Sequence, residues 1–486
     1  MKSFSILLFL SAMCCGSSVA VAKNKSLRLC WAKQVRALDN QFLTFRYQEK
    51  RNTLEHSFEP WEQTNWDCKG EIAVKHDCFQ KNDTLIGDQT YFSKTQWLPQ
   101  SLLFVDYGDK DLFAVTNAMF QRQVLENCRF SPISLIDYFY NQNIQQDKSS
   151  DKQFSIYKTE INQAIVTLYI QKSNHLLFKI TTLTDNELFG DVLTTYNYSN
   201  FLSINQLFYP QNISIDKING KLTDTINLSE ATLQASVPIV LALPPDYKLN
   251  TDEATKAEIK VEKYSENIHF IELKHSDDKV MIVEFKDFML VAEAPLNSKN
   301  GDLIIAEAHK IAPNKPIRYF VFGHHHPHYL GGLRPFVHAG AKVICSKADE
   351  PYVRYIAEAP HTLNPDALQK QAKALQTEEI VHEKTISDGT FEMKIYFIGN
   401  KSAHTNDYLV YYFPSEKLLF EDDLVWISRK GEIKKAGKRQ AGLYNALKDL
   451  KLDIKTIIQS WPVADYGVKT VIPFEDLEKS MMLEQK

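Results

Sequence analysis

Along residues 164–215 apolar and polar positions follow each other in short, β-branched and aromatic runs. Residues 164–170, 176–181, 192–198 and 208–215 are four such runs, with Lys172-Ser173-Asn174 and Asn219-Gly220 as turn signals between or after them. Runs of this length, punctuated by turn residues, predict an antiparallel meander. Upstream, over 23–145, the pattern is weak and mixed and predicts both helical and strand pieces. Leu243-Pro244-Pro245-Asp246-Tyr247 then breaks the strand texture, and the polar stretch 251–262 reads as a linker. Beyond it the period changes. Strands are predicted over 268–272, 280–284 and 288–293, a helix over 301–311, a strand over 318–322, a helix after Gly332, a strand over 342–345 and a helix over 350–359. Paired strands followed by alternating strands and helices indicate a mixed α/β sandwich. The division expected is a leader over 1–22, a β-rich domain over 23–250, the linker, and an α/β domain over 263–486.

The chain has 486 residues, enough for two or three domains, each with its own core. A formal net charge of −4 with both signs mixed argues against nucleic acid as a partner. A small-molecule substrate or an apolar ligand is expected instead. Lys2, the short apolar run 4–15 and Ala20-Val21-Ala22 together read as a cleaved secretory signal peptide. That implies a periplasmic or secreted protein without an integral membrane segment after cleavage. Cys30, Cys68, Cys78, Cys128 and Cys345 remain in the mature chain. In an oxidising compartment Cys68 with Cys78, and Cys30 with Cys128, are candidate pairs, with connectivity open. Cys345, within an apolar run, reads as a buried strand thiol.

The densest chemistry is Gly323-His324-His325-His326-Pro327-His328-Tyr329-Leu330-Gly331-Gly332, between a predicted strand and a predicted helix. The C-terminal end of a strand is where α/β proteins gather ligands. Later come Ser402-Ala403-His404-Thr405-Asn406-Asp407 and, after an apolar hairpin, Glu421-Asp422-Asp423.

In order and spacing these segments resemble the metallo-β-lactamase superfamily. Its loop reads His-x-His-x-Asp-His, which His324 and His326 match, with Leu330-Gly331-Gly332 at the exit into the helix. His404 matches the family's third histidine, and Asp423 its metal-bridging aspartate. Two positions depart: His328 stands at the Asp, and Tyr329 at the following His. Asp422 stands where a small residue is usual, and Glu475 falls on the last histidine. The resemblance implies a four-layer αβ/βα sandwich. It also implies one metal ion, zinc, on His324, His326, His404 and Asp423, because three imidazoles with an open position are a catalytic zinc set. The second ion is in doubt, since a phenol with a pKa of about 10 is a poor ligand. The implied chemistry is hydrolysis by a metal-activated water. Asp423 would hold the water or the metal, His328 would act as general base, and Tyr329 would donate to a developing oxyanion. His325 is expected to point away, and His338, His361 and His382 to be surface or structural residues. Two other functions stay open: a binding or carrier module that keeps the fold without turnover, and a mononuclear iron oxygenase using His324, His404 and Asp423. The stretch 191–215, with Tyr198-Ser199-Asn200-Phe201 and Phe208-Tyr209-Pro210-Gln211-Asn212-Ile213, resembles periplasmic lipoprotein-carrier (LolA-like) domains. That likeness implies a curved sheet holding an apolar ligand or partner.

Overall fold

A computed structural model describes residues 24–54, 57–87, 90–98, 101–106, 111–113, 124–237, 248–250 and 257–483. The expected leader and the first half of the expected linker lie outside the described residues. The chain divides into two compact units, one comprising 1–53, 65–184 and 192–253, the other 54–64, 185–191 and 254–486. Two short segments from the N-terminal half of the sequence therefore belong to the C-terminal unit. The second half of the expected linker is a strand, Ile259–Lys263, paired with Ile268–Leu273. Its one-sided pairing and exposed side chains explain why it reads as polar.

The N-terminal unit is built on a thirteen-stranded sheet. Its described pairs are antiparallel except Lys248–Asn250 against Asp111–Phe113. The helices Lys25–Gln34 and Ile133–Asn141 supply Leu27, Cys30, Ile136 and Phe139 to a core shared with Leu43, Phe45, Ile72 and Val166. Each fully buried side chain of this kind contributes about 1.5–3 kcal/mol. The predicted meander is present as Ala164–Gln171, Leu177–Asn186, Gly190–Ile204 and Leu207–Lys217.

The five described cysteines are free, which corrects the expected pairs. In the hairpin of Thr64–Lys75 with Cys78–Ile86, Cys68 faces Leu85 while Cys78 faces Lys75. The two thiols are thus separated by seven positions along one strand, roughly 23 Å at strand rise, far beyond disulfide reach. Cys30 contacts Oε1 of Gln34, and Cys128 the carbonyl of Val124. Cys345 is a buried strand thiol, as expected.

In the C-terminal unit two sheets face each other. The first has seven strands. Ile259–Lys263, Ile268–Leu273, Asp278–Glu284 and Met289–Ala292 are antiparallel, and Ile317–Val321, Lys342–Ser346 and Thr377–Ile380 continue in parallel. The second has six, from Glu383–Ser387 to Val471–Pro473. Strand alternation sorts the side chains into layers. Leu409, Tyr411 and Phe413 enter the core between the sheets with Met281, Leu290 and Val321. Tyr408, Val410 and Tyr412 point the other way, against Leu443 and Leu447 of the helix Lys438–Asp449 and Leu477 of the helix Phe474–Met482. On the far side of the first sheet, Phe320 stacks on Phe336 of the helix Leu333–Ala339 at 4.4 Å. Helix, sheet, sheet, helix is the expected four-layer αβ/βα order. Gly301 allows a close approach to the start of that helix, since a Cβ at 301 would lie 2.4 Å from the Gly332 carbonyl oxygen.

Candidate metal centre

The strand Ile317–Val321 ends in Phe322 and Gly323, and the chain then crosses the open end of both sheets. The Gly323 N–H donates to Glu293 on the first sheet (3.2 Å), and its carbonyl accepts from the Leu409 N–H on the second (2.7 Å). A Cβ at 323 would lie 2.1 Å from Oδ2 of Asp422, so only glycine fits this crossing. The crossing delivers His324 and His326 to one point. His404 reaches it from the loop before the strand Leu409–Phe413.

His324, His326 and His404 offer ring nitrogens that all lie within 4.8 Å of one another. Nε2 of His324 is 3.0 Å from Nδ1 of His326. The opposite ring nitrogens are held by the protein. Nδ1 of His324 lies 2.7 Å from Oδ2 of Asp422, and Nε2 of His326 lies 3.1 Å from the Ser57 carbonyl. Nε2 of His404 is buried without a hydrogen bond and lies 3.2 Å from Oδ2 of Asp423. An orphaned imidazole nitrogen beside two converging imidazoles and a carboxylate fits one ion, with outer contacts fixing two of the rings. Burial, helped by the neighbouring imidazoles, holds His324 well below the ordinary histidine range and His326 down to about 3. Both rings are therefore neutral, the form that ligates.

Asp423 is fixed by the Tyr408 hydroxyl (3.3 Å) and by Nη1 of Arg439 (3.2 Å), and it faces His404. Burial opposes its charged form, but His404 and Arg439 outweigh it and keep the carboxylate below its usual pKa. Beneath lie more acids. Burial pushes Glu421 and Glu293 up to about 8, and burial with Glu293 and Asp423 raises Asp422 well above the carboxylate range. Tyr408 stacks on His324 at 4.9 Å, and its oxygen accepts from the N–H groups of Asp422 and Asp423.

The two departing residues are placed differently. His328 turns to Asp278, with Nδ1 3.0 Å from Oδ1, and is partly exposed. Burial works against its charged form, but Asp278 prevails and raises its pKa. Tyr329 is buried with its ring 4.4 Å from that of His324, and burial raises its hydroxyl well above 10. Glu475 does not approach the site. It lies exposed in the first turn of the helix Phe474–Met482, beside Lys479, which corrects its assignment to the last ligand position. The segment that runs alongside Asp423 is Ser460-Trp461, whose N–H groups donate to Glu421 O and Asp422 O at 2.9 Å each. Neither residue is a usual metal ligand, so among the described residues this segment supplies none where the family has its last histidine.

His325 points away from the trio, as expected. Its ring lies between Oγ of Ser57 (3.0 Å) and Oδ2 of Asp407 (3.1 Å), in a buried group with Asp349. His338 is half-buried on its helix, His361 is buried and His382 is exposed, and none joins the trio. Sequence reading missed Asp422, Ser57, Asp278 and Arg439. Of these only Asp422 carried a signal, an acid at a position where the family has a small residue.

No protein-family model and no curated protein matches the chain. Among solved structures it is similar to a metallo-β-lactamase from Pontibacter korlensis, at 16% identity and TM-score 0.34, over 46% of this chain and 97% of that one. It is also similar to the metallo-β-lactamase FIM-1 from Pseudomonas aeruginosa in its mono-zinc form, at 17% identity and TM-score 0.33, over 46% and 93% of the two chains. A flavo di-iron protein variant from Thermotoga maritima overlaps at 12% identity and TM-score 0.33, over 46% and 61%. Two facing sheets with a helix layer on each outer side form a four-layer αβ/βα sandwich in the C-terminal unit, with paired histidines at the end of Ile317–Val321 meeting His404.

Proposed function

We propose that the protein is an exported, mononuclear metal-dependent hydrolase, with zinc held by His324, His326 and His404 and Asp423 closing the site. The observation that carries this reading is the orphaned Nε2 of His404 facing two imidazoles whose outer nitrogens are already engaged. Three imidazoles favour zinc over the iron set of two histidines and one carboxylate. A bound zinc would supply Lewis acidity and a water that ionises near pH 7. The chain's own groups do the rest. Asp423, fixed by Tyr408 and Arg439, orients the attacking water. His328, steadied by Asp278, takes its proton. Arg439 offers a cation to negative charge that develops on the substrate. Tyr329 packs under His324, and its hydroxyl is the donor proposed for an oxyanion. Export rests on the composition of residues 1–22, and among the described residues no helix is long and apolar enough to cross a membrane.

A second reading is a binding module whose metal is structural. Tyr329 and Ser460-Trp461 favour it, because they remove ligands from the place of a second ion. Elemental analysis of the full chain after dialysis against a weak chelator separates the cases, together with assays on ester, lactone, lactam and phosphodiester substrates. One zinc per chain with turnover supports the hydrolase. One zinc with no turnover on any substrate supports the binding module. Near-zero metal after reconstitution overturns the site itself.

A further inference from the structure

Two loops leave the second sheet beside Asp423, one after Glu421 and one after Gln459. They are tied to each other: Ser428 bridges to Val468, the Arg429 N–H donates to Gly467 O (2.7 Å), and the Lys469 N–H donates to Ile427 O (2.8 Å). They are also tied to the site. The Trp461 N–H donates to Asp422 O, and the Val463 N–H to Oδ1 of Asp277, the neighbour of the residue that holds His328. On this ribbon three rings form a row. Trp426 lies 5.3 Å from Trp461, and Trp461 5.7 Å from Tyr466. The outer two are 40% and 56% exposed. Large rings left in water as a contiguous row beside a polar site mark a binding surface rather than a core.

The first loop continues into a cationic stretch. Between Arg429 and Arg439 there are six basic residues and one acid, Glu432, in a chain whose net charge is −4. Arg429 pairs with Asp465 and Arg439 with Asp423, whereas Lys430, Lys434, Lys435 and Lys438 are exposed and have no ion pair among the described residues. The stretch ends at the site, where Arg439 meets Asp423, and a run of unpaired cations leading to a site draws anions toward it.

We propose that this ribbon receives the substrate, and that the substrate joins an oxyanion to a planar ring, the ring lying on Trp426, Trp461 and Tyr466 and the anion facing the lysines and Arg439. This rests on the reading of the site as a hydrolytic centre and names its substrate class. Trp461 sets specificity here from the place beside Asp423 where a further ligand is missing.

The test is calorimetric titration of the zinc-reconstituted full chain with three non-hydrolysable or inert probes. They are 1-naphthylphosphonate (ring and anion), propylphosphonate (anion alone) and 1-naphthol (ring alone), with 1-naphthoate as a carboxylate arm. The first probe binds about tenfold or more tighter than either half, since it alone makes both the stacked-ring and the charge-assisted contact. Tyr466→Ala weakens 1-naphthylphosphonate about three- to tenfold and leaves propylphosphonate unchanged. The double variant Lys434→Ala/Lys435→Ala weakens both phosphonates and leaves 1-naphthol unchanged. Trp461→Phe is included because a smaller residue beside Asp422 risks the fold, while exposed Tyr466 does not. Equal affinity for the ring with and without its charge, or indifference to Tyr466→Ala, overturns the proposal. Zinc is counted on the same samples. Lost metal with retained selectivity removes the hydrolase reading alone, and one zinc without selectivity removes this one alone.

Discussion

At the scale of single residues, the metal centre depends on which nitrogen each imidazole presents. Asp422 and Ser57 occupy the outer nitrogens of His324 and His326, so both rings turn their remaining nitrogen inward. Replacing His404 by Ala removes the orphaned nitrogen of the trio, and elemental analysis is expected to find almost no zinc in that variant. Replacing Asp422 by Asn keeps all three imidazoles but loosens one, and zinc affinity, read by competition with a chromophoric chelator, falls about 10–100-fold. Unchanged affinity would show that His324 needs no carboxylate behind it. The double change His328→Asp and Tyr329→His is expected to raise capacity toward two ions. It falls short of two full equivalents, because Ser460-Trp461 still offers no ligand beside Asp423. The trio was legible in the sequence because a His-x-His pair after a strand is a local signal. Its supports were not. Ser57 lies 269 positions from His326 and Asp422 lies 98 from His324, and only folding brings them together. Glu475 was misplaced for the same reason: distance along the chain does not reveal that Ser460-Trp461, one strand earlier, is the segment running beside Asp423.

At the scale of elements, apolar periodicity was a good guide where the buried positions are mostly apolar. Ile268–Leu273, Lys342–Ser346 and Glu350–Glu358 lie within a residue or two of their predicted spans. It failed over 42–106, where the inward face carries charge. In the strand Phe42–Thr53, Leu43, Phe45, Tyr47 and Glu49 share the buried face, and Glu49 is held by Arg51 and Arg129. Asp83, buried and bonded to Tyr47 and Lys81, masks the strand Cys78–Ile86 in the same way. Charged side chains also fix elements in the C-terminal unit. Arg334, 2% exposed, forms two hydrogen bonds to Asp366 and donates to the carbonyls of Ile356, Ala357 and Ala359 at the end of the helix Glu350–Glu358. Arg334→Ala strands three acceptors and one carboxylate, and urea unfolding is expected to show a loss of about 3–5 kcal/mol. Burial opposes the charge on Asp366, but Arg334 overcomes it and holds the folded pKa below the ordinary value. Its contribution is therefore complete above the unfolded pKa of about 3.9 and is lost as pH falls through the folded value. Asp366→Asn should be less stable than the parent at pH 6, with the gap closing as pH falls below about 4. A gap that stayed constant with pH would mean the carboxylate's charge plays no part.

At the scale of the whole molecule, the boundary drawn from the sequence would separate 263–486 as a self-sufficient domain. The compact C-terminal unit nevertheless includes 54–64 and 185–191. Both segments serve it physically. Trp61 meets Phe189 at 5.3 Å, Tyr352 at 5.0 Å and Tyr355 at 4.9 Å, forming an aromatic cluster on the helix Glu350–Glu358. Asp191 accepts from the N–H groups of Thr362 and Leu363. Phe58 O accepts from the Asn406 N–H, two residues from His404, and Ser57 holds both His325 and His326. A fragment of 257–486 is therefore expected to keep its two sheets, whose core between them comes from 264–458. It should expose the face of Tyr352 and Tyr355, melt below the full chain's C-terminal transition, and bind zinc more weakly because His326 has lost its outer partner. Differential scanning calorimetry and chelator competition on the fragment measure both effects. Adding back a peptide of residues 54–64 should recover part of the zinc affinity, an effect that general destabilisation would not produce. A fragment equal to the full chain in melting and in zinc affinity would show that the two segments merely rest on a unit that is already complete.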